Sequence, residues 1–293
     1  MILELKNIEK SFGEKKVLTG VSFKAEGGKA FGLLGRNGAG KTTSIRILMD
    51  VFPANSGEVL IDGHPIDYNK IGIGYLPEER GLYPKKIIID QLTYFAELKG
   101  MSRKEAVKSI DYWLQRLGMT EYRNKKLETL SKGNQQKIQL ITALAHDPDI
   151  IILDEPFSGL DPVNAMLLKD VVKEQITKGK IVLFSSHQMS YIEEFCDSIA
   201  ILNNGVVALH GDLHDIKRDY PRDRLVVKTE TPDAIKADFD SSCTVMDNGD
   251  LMIRLSSPSE KKTTMTRLVE SYDIDEVKVY EPSLNDIFVE YAG

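Results

Sequence analysis

The stretch Gly35-Arg36-Asn37-Gly38-Ala39-Gly40-Lys41-Thr42-Thr43 limits what this chain can fold into more than any other part of it. It follows a short apolar run, residues 30–34, and leads into Ile45, Ile47 and Leu48, which are spaced as on a helix face. Strand, glycine loop, helix is the order that a phosphate-binding loop needs. The glycines let successive backbone N–H groups converge on one anion, and the following helix adds its positive end. Lys41 then supplies a point charge for the outer phosphates, and Thr42 a hydroxyl for Mg²⁺. At ordinary glycine usage a chance match in a chain of this length is on the order of 1%, so the loop is read as a phosphate site.

A second element supports that reading. Ile150-Ile151-Ile152-Leu153 forms a buried strand that ends in Asp154-Glu155-Pro156. Asp154 is placed to hold the metal's water shell, and Glu155 to orient or deprotonate an attacking water. Acidic residues commonly end strands, so the pair gains its weight from the glycine loop upstream.

The rest of the chain arranges itself around these two features. Residues 2–8 and 17–24 read as strands joined by a turn at Gly13-Glu14-Lys15. From about residue 86 to 145 the pattern is helical, in segments 91–98, 103–117 and 135–145. A helix from Pro162, a strand at 181–185, a helix at 191–196 and a hairpin about Asn203-Asn204-Gly205 follow. The polar run Asp219-Tyr220-Pro221-Arg222-Asp223 marks a boundary, giving domains 1–220 and 221–293. The second reads strand–helix–strand–strand–helix–strand, a small α+β sandwich of the ferredoxin-like kind, with one further helix at 282–291.

Composition excludes other classes. The 293 residues are 42% hydrophobic and 28% charged, ordinary values for a globular chain. No apolar run reaches the roughly 18 residues of a spanning helix. The opening Met-Ile-Leu-Glu-Leu-Lys puts a carboxylate inside its first apolar stretch and so does not read as a signal peptide. Cys196 and Cys243 have no metal or disulfide spacing, which fits a reducing cytoplasm. The formal charge of −6 resides in residues 221–293, which carry nine basic and fifteen acidic groups. That tail repels phosphate backbones and anionic lipid, so nucleic acid is not expected as a partner.

With these motifs in place, residues 1–220 resemble the nucleotide-binding subunit of an ATP-binding cassette (ABC) transporter. The resemblance adds Leu130-Ser131-Lys132-Gly133-Asn134-Gln135-Gln136 as the family signature, Ser158-Gly159-Leu160-Asp161 as its D-loop and Ser185-Ser186-His187 as its switch histidine. Phe12 corresponds to the adenine-stacking aromatic. Taken alone, Phe12 is more readily a core residue and His187 a structural histidine; the ordered set overturns both. The resemblance implies a P-loop NTPase fold, a mixed sheet with a helical subdomain at about 86–145. It implies ATP and Mg²⁺ as ligands, with catalytic roles for Lys41, Glu155 and His187. Phe12, residues 35–43, Glu78, Ser131, Gly133, Asn134 and Asp161 would then contact nucleotide, and Thr42, Asp154 and Glu78 the metal.

Such cassettes clamp ATP head to tail, so a second ATPase subunit, identical or related, and an integral membrane subunit are implied. That partner would hold the chain on the inner face of the cell membrane. Lys132 and Asn134 stand where glycine and glutamine are usual, and Glu78 where a glutamine is usual. These departures, with the ending Pro282-Ser283-Leu284-Asn285-Asp286-Ile287-Phe288, resemble the export branch that includes sodium-extruding cassettes. Two other functions compete: a soluble cassette ATPase acting on ribosomes or DNA, and a regulatory module that closes on ATP without useful turnover. The first relatives usually carry two cassettes or long coiled coils, which this chain lacks. His210 and His214 with Asp212 and Asp215 lack the rigid, closed ligand set of a metal site.

Overall fold

The computed structural model describes residues 1–79, 81–158, 160–186 and 188–292. The chain forms two compact units: Met1–Leu213 together with the segment from Phe288 onward, and His214–Ile287.

The first unit is built on two sheets. Strands β1 (Ile2–Phe12), β2 (Lys15–Glu26), β4 (Ser56–Ile61) and β5 (His64–Pro65) form an antiparallel sheet in the order β2-β1-β4-β5. Strands β3 (Ala30–Gly35), β6 (Ile73–Leu76), β7 (Ile150–Asp154), β8 (Ile181–Ser185), β9 (Ser198–Asn203) and β10 (Val206–Asp212) form the other, in the order β10-β9-β3-β8-β7-β6. Every pair in it is parallel except the β9–β10 hairpin. Strands β3, β7 and β8 are buried at every residue, as continuous apolar runs in a covered parallel sheet should be. Their side chains join Leu3, Leu5, Val21 and Phe23 of the first sheet and Ile45 and Leu48 of helix α1 (Lys41–Leu48) in one core. Phe23 stacks on Phe31 across it at 4.9 Å.

The helical segment contains α2 (Ile88–Leu98), α3 (Arg103–Arg116) and α4 (Lys132–Leu144). Ser102 and Glu105 close a reciprocal capping box at the start of α3. Helix α4 begins three residues before the position that its apolar spacing marks, because Ser131 caps it and the polar first turn needs no apolar face. Helices α5 (Pro162–Thr177) and α6 (Met189–Phe195) follow β7 and β8. Among the described residues no helix is long and apolar enough to cross a membrane.

The second unit holds α7 (Leu213–Asp219) from its second residue on, β11 (Arg224–Lys228), α8 (Pro232–Phe239), β12 (Cys243–Val245), β13 (Leu251–Arg254), α9 (Lys261–Ser271) and β14 (Glu276–Val279). Its sheet order is β12-β13-β11-β14, antiparallel throughout, which is the split βαβ arrangement of a ferredoxin-like sandwich. Leu225, Val227, Leu251 and Ile253 pack there against Ile235 of α8 and Leu268 of α9. The polar run placed at the boundary belongs inside this unit, because the Arg224 guanidinium lies 5.8 Å over the Tyr220 ring and the Leu255 amide donates to the Asp223 carbonyl at 2.6 Å. The division therefore falls at His214 and not at Pro221. Helix α10 (Leu284–Ala292) ends the chain, and Tyr291 in its last turn accepts from Asn203 Nδ2 at 3.1 Å.

Candidate nucleotide site

The chemistry-bearing residues gather at the carboxyl ends of the parallel strands, where open α/β sheets place ligands. β3 delivers the glycine loop, β7 delivers Asp154 and Glu155, β8 ends at Ser185, and β6 leads into Pro77-Glu78.

Two glycines fix the loop. Gly35 has φ +151°, and a Cβ there would stand 2.6 Å from the Leu202 carbonyl oxygen. Gly40 has φ +113°, and its Cβ would meet Leu18 Cδ2 at 2.5 Å. Neither position admits a larger residue. Between them Ala39 is buried, while Arg36, Asn37 and Gly38 are exposed on a cleft of about 480 Å³ that Lys41, Thr42 and Thr43 also line. Lys15, Lys16 and Val17 form its other wall. The Lys41 ammonium turns back on its own loop, donating to the carbonyls of Gly35 at 2.5 Å and Arg36 at 3.3 Å. Burial pushes the Lys41 pKa down, against the opposing pull of Asp154, Glu155 and Glu78.

Asp154 is buried at the end of β7. Burial raises its pKa, and the charges of Glu78 and Glu155 add to that; a hydrogen bond with Ser185 and one from Tyr75 act the other way. The Tyr75 hydroxyl donates to Asp154 Oδ2 at 3.3 Å, and burial with that carboxylate pushes the phenol up to about 12. Glu155 has φ +48°, the left-handed region, which costs a non-glycine residue about 1 kcal/mol or more. It is held there by its amide, which donates to the Ser185 carbonyl at 2.8 Å, and by Ser158 N, which donates to the Glu155 carbonyl at 3.1 Å. Ser186 Oγ donates to Glu155 Oε2 at 2.9 Å, so the carboxylate direction is fixed as well.

Glu78 is exposed and lines a larger cleft of about 730 Å³ together with Thr42, Asp154 and Tyr75. Thr42 lines both clefts, and the charges of Asp154, Glu155 and Glu78 all act on Lys41, so these five residues are neighbours at the strand ends. Phe12 lies at the end of β1, opposite Lys15 of the cleft wall, 48% exposed. It meets Phe52 edge-on at 5.5 Å, with Lys10 Nζ over both rings. His187 lies outside the described residues, as do Gly159 of the D-loop and Arg80 after Glu78.

A separate cluster holds the signature. Ser131 is the exposed N-cap of α4, and its Oγ accepts from Asn134 N at 3.4 Å. Gly133 in the first turn stands against α5, where a Cβ would be 3.3 Å from Asn164 Nδ2. Asp161 caps α5 by accepting from Val163 N and Asn164 N, each at 3.0 Å, and the Asn164 amide bond first, then burial opposing it, sets a net lowering of its carboxyl pKa.

Sequence reasoning missed the side chains that brace these loops. Gln139 and Gln136 of α4 and Gln91 of α2 donate to loop carbonyls at Pro77, Glu79, Pro156 and Lys86. The available signal was a glutamine at a core position, between Ile138 and Leu140.

Comparison with known proteins gives the family. Residues 18–158 match the family model "ABC transporter", and residues 211–292 match "ATP-binding protein DrrA1-3-like, C-terminal domain". The chain is 41% identical, over its whole length and 99% of the relative, to an uncharacterized ABC transporter ATP-binding protein, YhaQ, of Bacillus subtilis. It is 31% identical to Nod factor export ATP-binding protein I of Burkholderia lata, over 72% of this chain and 71% of that one. A solved ATP-binding subunit of an ABC transporter superposes with TM-score 0.69 at 31% identity, covering 75% of this chain and 93% of that chain. The chain belongs to the family of ABC transporter ATP-binding subunits.

Proposed function

We propose that this chain hydrolyses ATP to drive an exporter through a separate membrane subunit. The observation that carries the reading is the gathering of Lys41, Thr42, Glu78 and the fixed Asp154-Glu155 pair at the strand ends, where Thr42 lines both clefts and all three carboxylates act on Lys41. An export-named relative supports the direction of transport.

In this reading the amides of residues 36–43 and the start of α1 cradle the phosphates, and Lys41 leaves the loop carbonyls for the outer phosphate oxygens. Phe12, exposed beside the cleft, offers a face for the adenine ring. Thr42, Asp154 and Glu78 make an all-oxygen set that suits Mg²⁺, and the raised Asp154 pKa is the strain that a cation there relieves. Bound Mg²⁺ would neutralise charge on the phosphates. Glu155, its carboxylate held by Ser186, takes the proton of the attacking water, and His187 assists at the same phosphate. Ser131, Gly133, Asn134 and Asp161 serve the nucleotide of a second cassette, with the Ser131 hydroxyl and the Gly133 amide at the start of α4 turned to its anion. The membrane subunit docks at the helical segment that follows the Glu78 loop, where Leu98 at the end of α2 is 64% exposed. The chain is thereby held on the inner membrane face.

The test is ATP hydrolysis by the chain co-expressed with the membrane protein encoded beside it. The two should purify together, and transport-coupled hydrolysis should exceed that of the chain alone. Leu98→Glu should abolish co-purification yet retain MgATP binding. Stable binding to ribosomes or DNA, with no membrane partner, would overturn the proposal.

A further inference from the structure

Helix α4 reaches two catalytic loops through glutamines one turn apart. Gln136 Nε2 donates to the Pro156 carbonyl at 2.5 Å, one residue beyond Glu155. Gln139 Nε2 donates to the carbonyls of Pro77 at 3.3 Å and Glu79 at 3.1 Å, on either side of Glu78. Gln139 is only 6% exposed, between Ile138 and Leu140 on a helix whose core face is otherwise apolar. A buried amide costs free energy unless its hydrogen bonds are made, and an apolar chain of equal length would fill the same space. Here both amide protons are given to one three-residue segment. The far end of the same loop is held by Gln91 of α2, which accepts from Tyr83 N at 3.1 Å and donates to the carbonyls of Tyr83 at 3.4 Å and Lys86 at 3.3 Å.

We infer that Gln139 is a positioning residue for Glu78: it fixes the backbone on both sides so that the carboxylate stands at the cleft with Thr42 and Asp154. Among the described residues of this segment, no helix or strand stands between the end of β6 at Leu76 and the start of α2 at Ile88. Without a brace, Glu78 would pay the ordering of its backbone each time it met a ligand. The inference rests on the reading of that cleft as the MgATP site.

Gln139→Met tests it, since methionine keeps the length and packing but removes both donors. Hydrogen exchange in the nucleotide-free chain should show faster exchange confined to the Glu78 loop. Fluorescent-nucleotide titration should show the Mg²⁺-dependent part of ATP affinity reduced by about three- to tenfold, with affinity unchanged when Mg²⁺ is chelated. Combined with Glu78→Ala, Gln139→Met should add nothing, because it acts through Glu78. Additive losses, unaltered loop exchange, or an equal loss with Mg²⁺ chelated would overturn the inference. So would failure of Gln139→Met to fold, because the role assigned is to one loop and not to the core. Absence of Mg²⁺-dependent nucleotide binding in the wild type would instead refute the nucleotide reading beneath it.

Discussion

Replacing Glu155 by glutamine separates binding from chemistry more cleanly than any other single change. Glutamine is nearly isosteric, and its Oε1 still accepts from Ser186 Oγ, the 2.9 Å bond that orients the side chain. The strained φ of +48° is common to both residues, so it does not contribute to the difference. Stability should therefore change by no more than about 1 kcal/mol. The change does remove a negative charge beside Asp154 and Lys41, whose titrations both respond to it. A less negative mouth should bind the ATP anion at least as tightly as before. What is lost is the proton acceptor, and general base catalysis is worth about 10²–10⁴ in rate. Phosphate release, nucleotide titration and thermal denaturation on the same preparation measure the three terms. Hydrolysis within threefold of wild type, with folding intact, would refute Glu155 as the base.

Three further perturbations probe other parts of the account. Lys41→Ala should weaken MgATP binding by roughly 10–100-fold, the worth of a charge-assisted contact to phosphate, and an unchanged titration would count against the loop assignment. Gly74→Ala should destabilise the first unit by about 3 kcal/mol or more, since the new Cβ would lie 2.1 Å from the Ala143 carbonyl oxygen; chemical denaturation would measure it, and a cost below about 1 kcal/mol would mean β6 and α4 are not so closely packed. His146 gives a pH dependence. Its Nε2 contacts the Ile73 carbonyl at 3.2 Å, Nδ1 is buried without a partner among the described residues, and burial lowers the pKa to about 4. The unfolded chain takes up this proton near pH 6.5 and the folded chain only near 4, so acid favours unfolding across that window. Wild type should lose about 2–3 kcal/mol more stability than His146→Gln between those limits; parallel curves would show that His146 is not held neutral.

Much of the site could be read from residues because its chemistry is written in contiguous runs. The glycine spacing of residues 35–43 encodes backbone geometry directly, and Ile150–Asp154 is a fully buried strand whose end can be counted. The ferredoxin-like order of the second unit was legible too, since Asp247-Asn248-Gly249 marks a hairpin turn and Pro232 opens a helix. Strands β4, β5 and β6 were not. β4 opens with three exposed residues, β5 has two, and β6 has four with a glycine among them, so none carries a usable period. The boundary was misplaced because a polar, proline-containing run looks the same whether it links two units or leads into a strand. The Gln139 brace joins residues 60 or more apart in sequence, and only packing reveals which carbonyls it meets.

The central claim is that each chain carries two half-sites, which ATP brings together across a pair. Sedimentation of Glu155→Gln, with and without MgATP, tests it most directly when repeated in Glu155→Gln/Ser131→Arg. Ser131 is exposed at the start of α4 and lines neither the 480 Å³ nor the 730 Å³ cleft, so the arginine should leave nucleotide binding by the single chain intact. The account predicts that MgATP shifts Glu155→Gln to a dimer and that Ser131→Arg abolishes the shift at unchanged nucleotide affinity. Pairing that ignores ATP, or that survives Ser131→Arg undiminished, would contradict it.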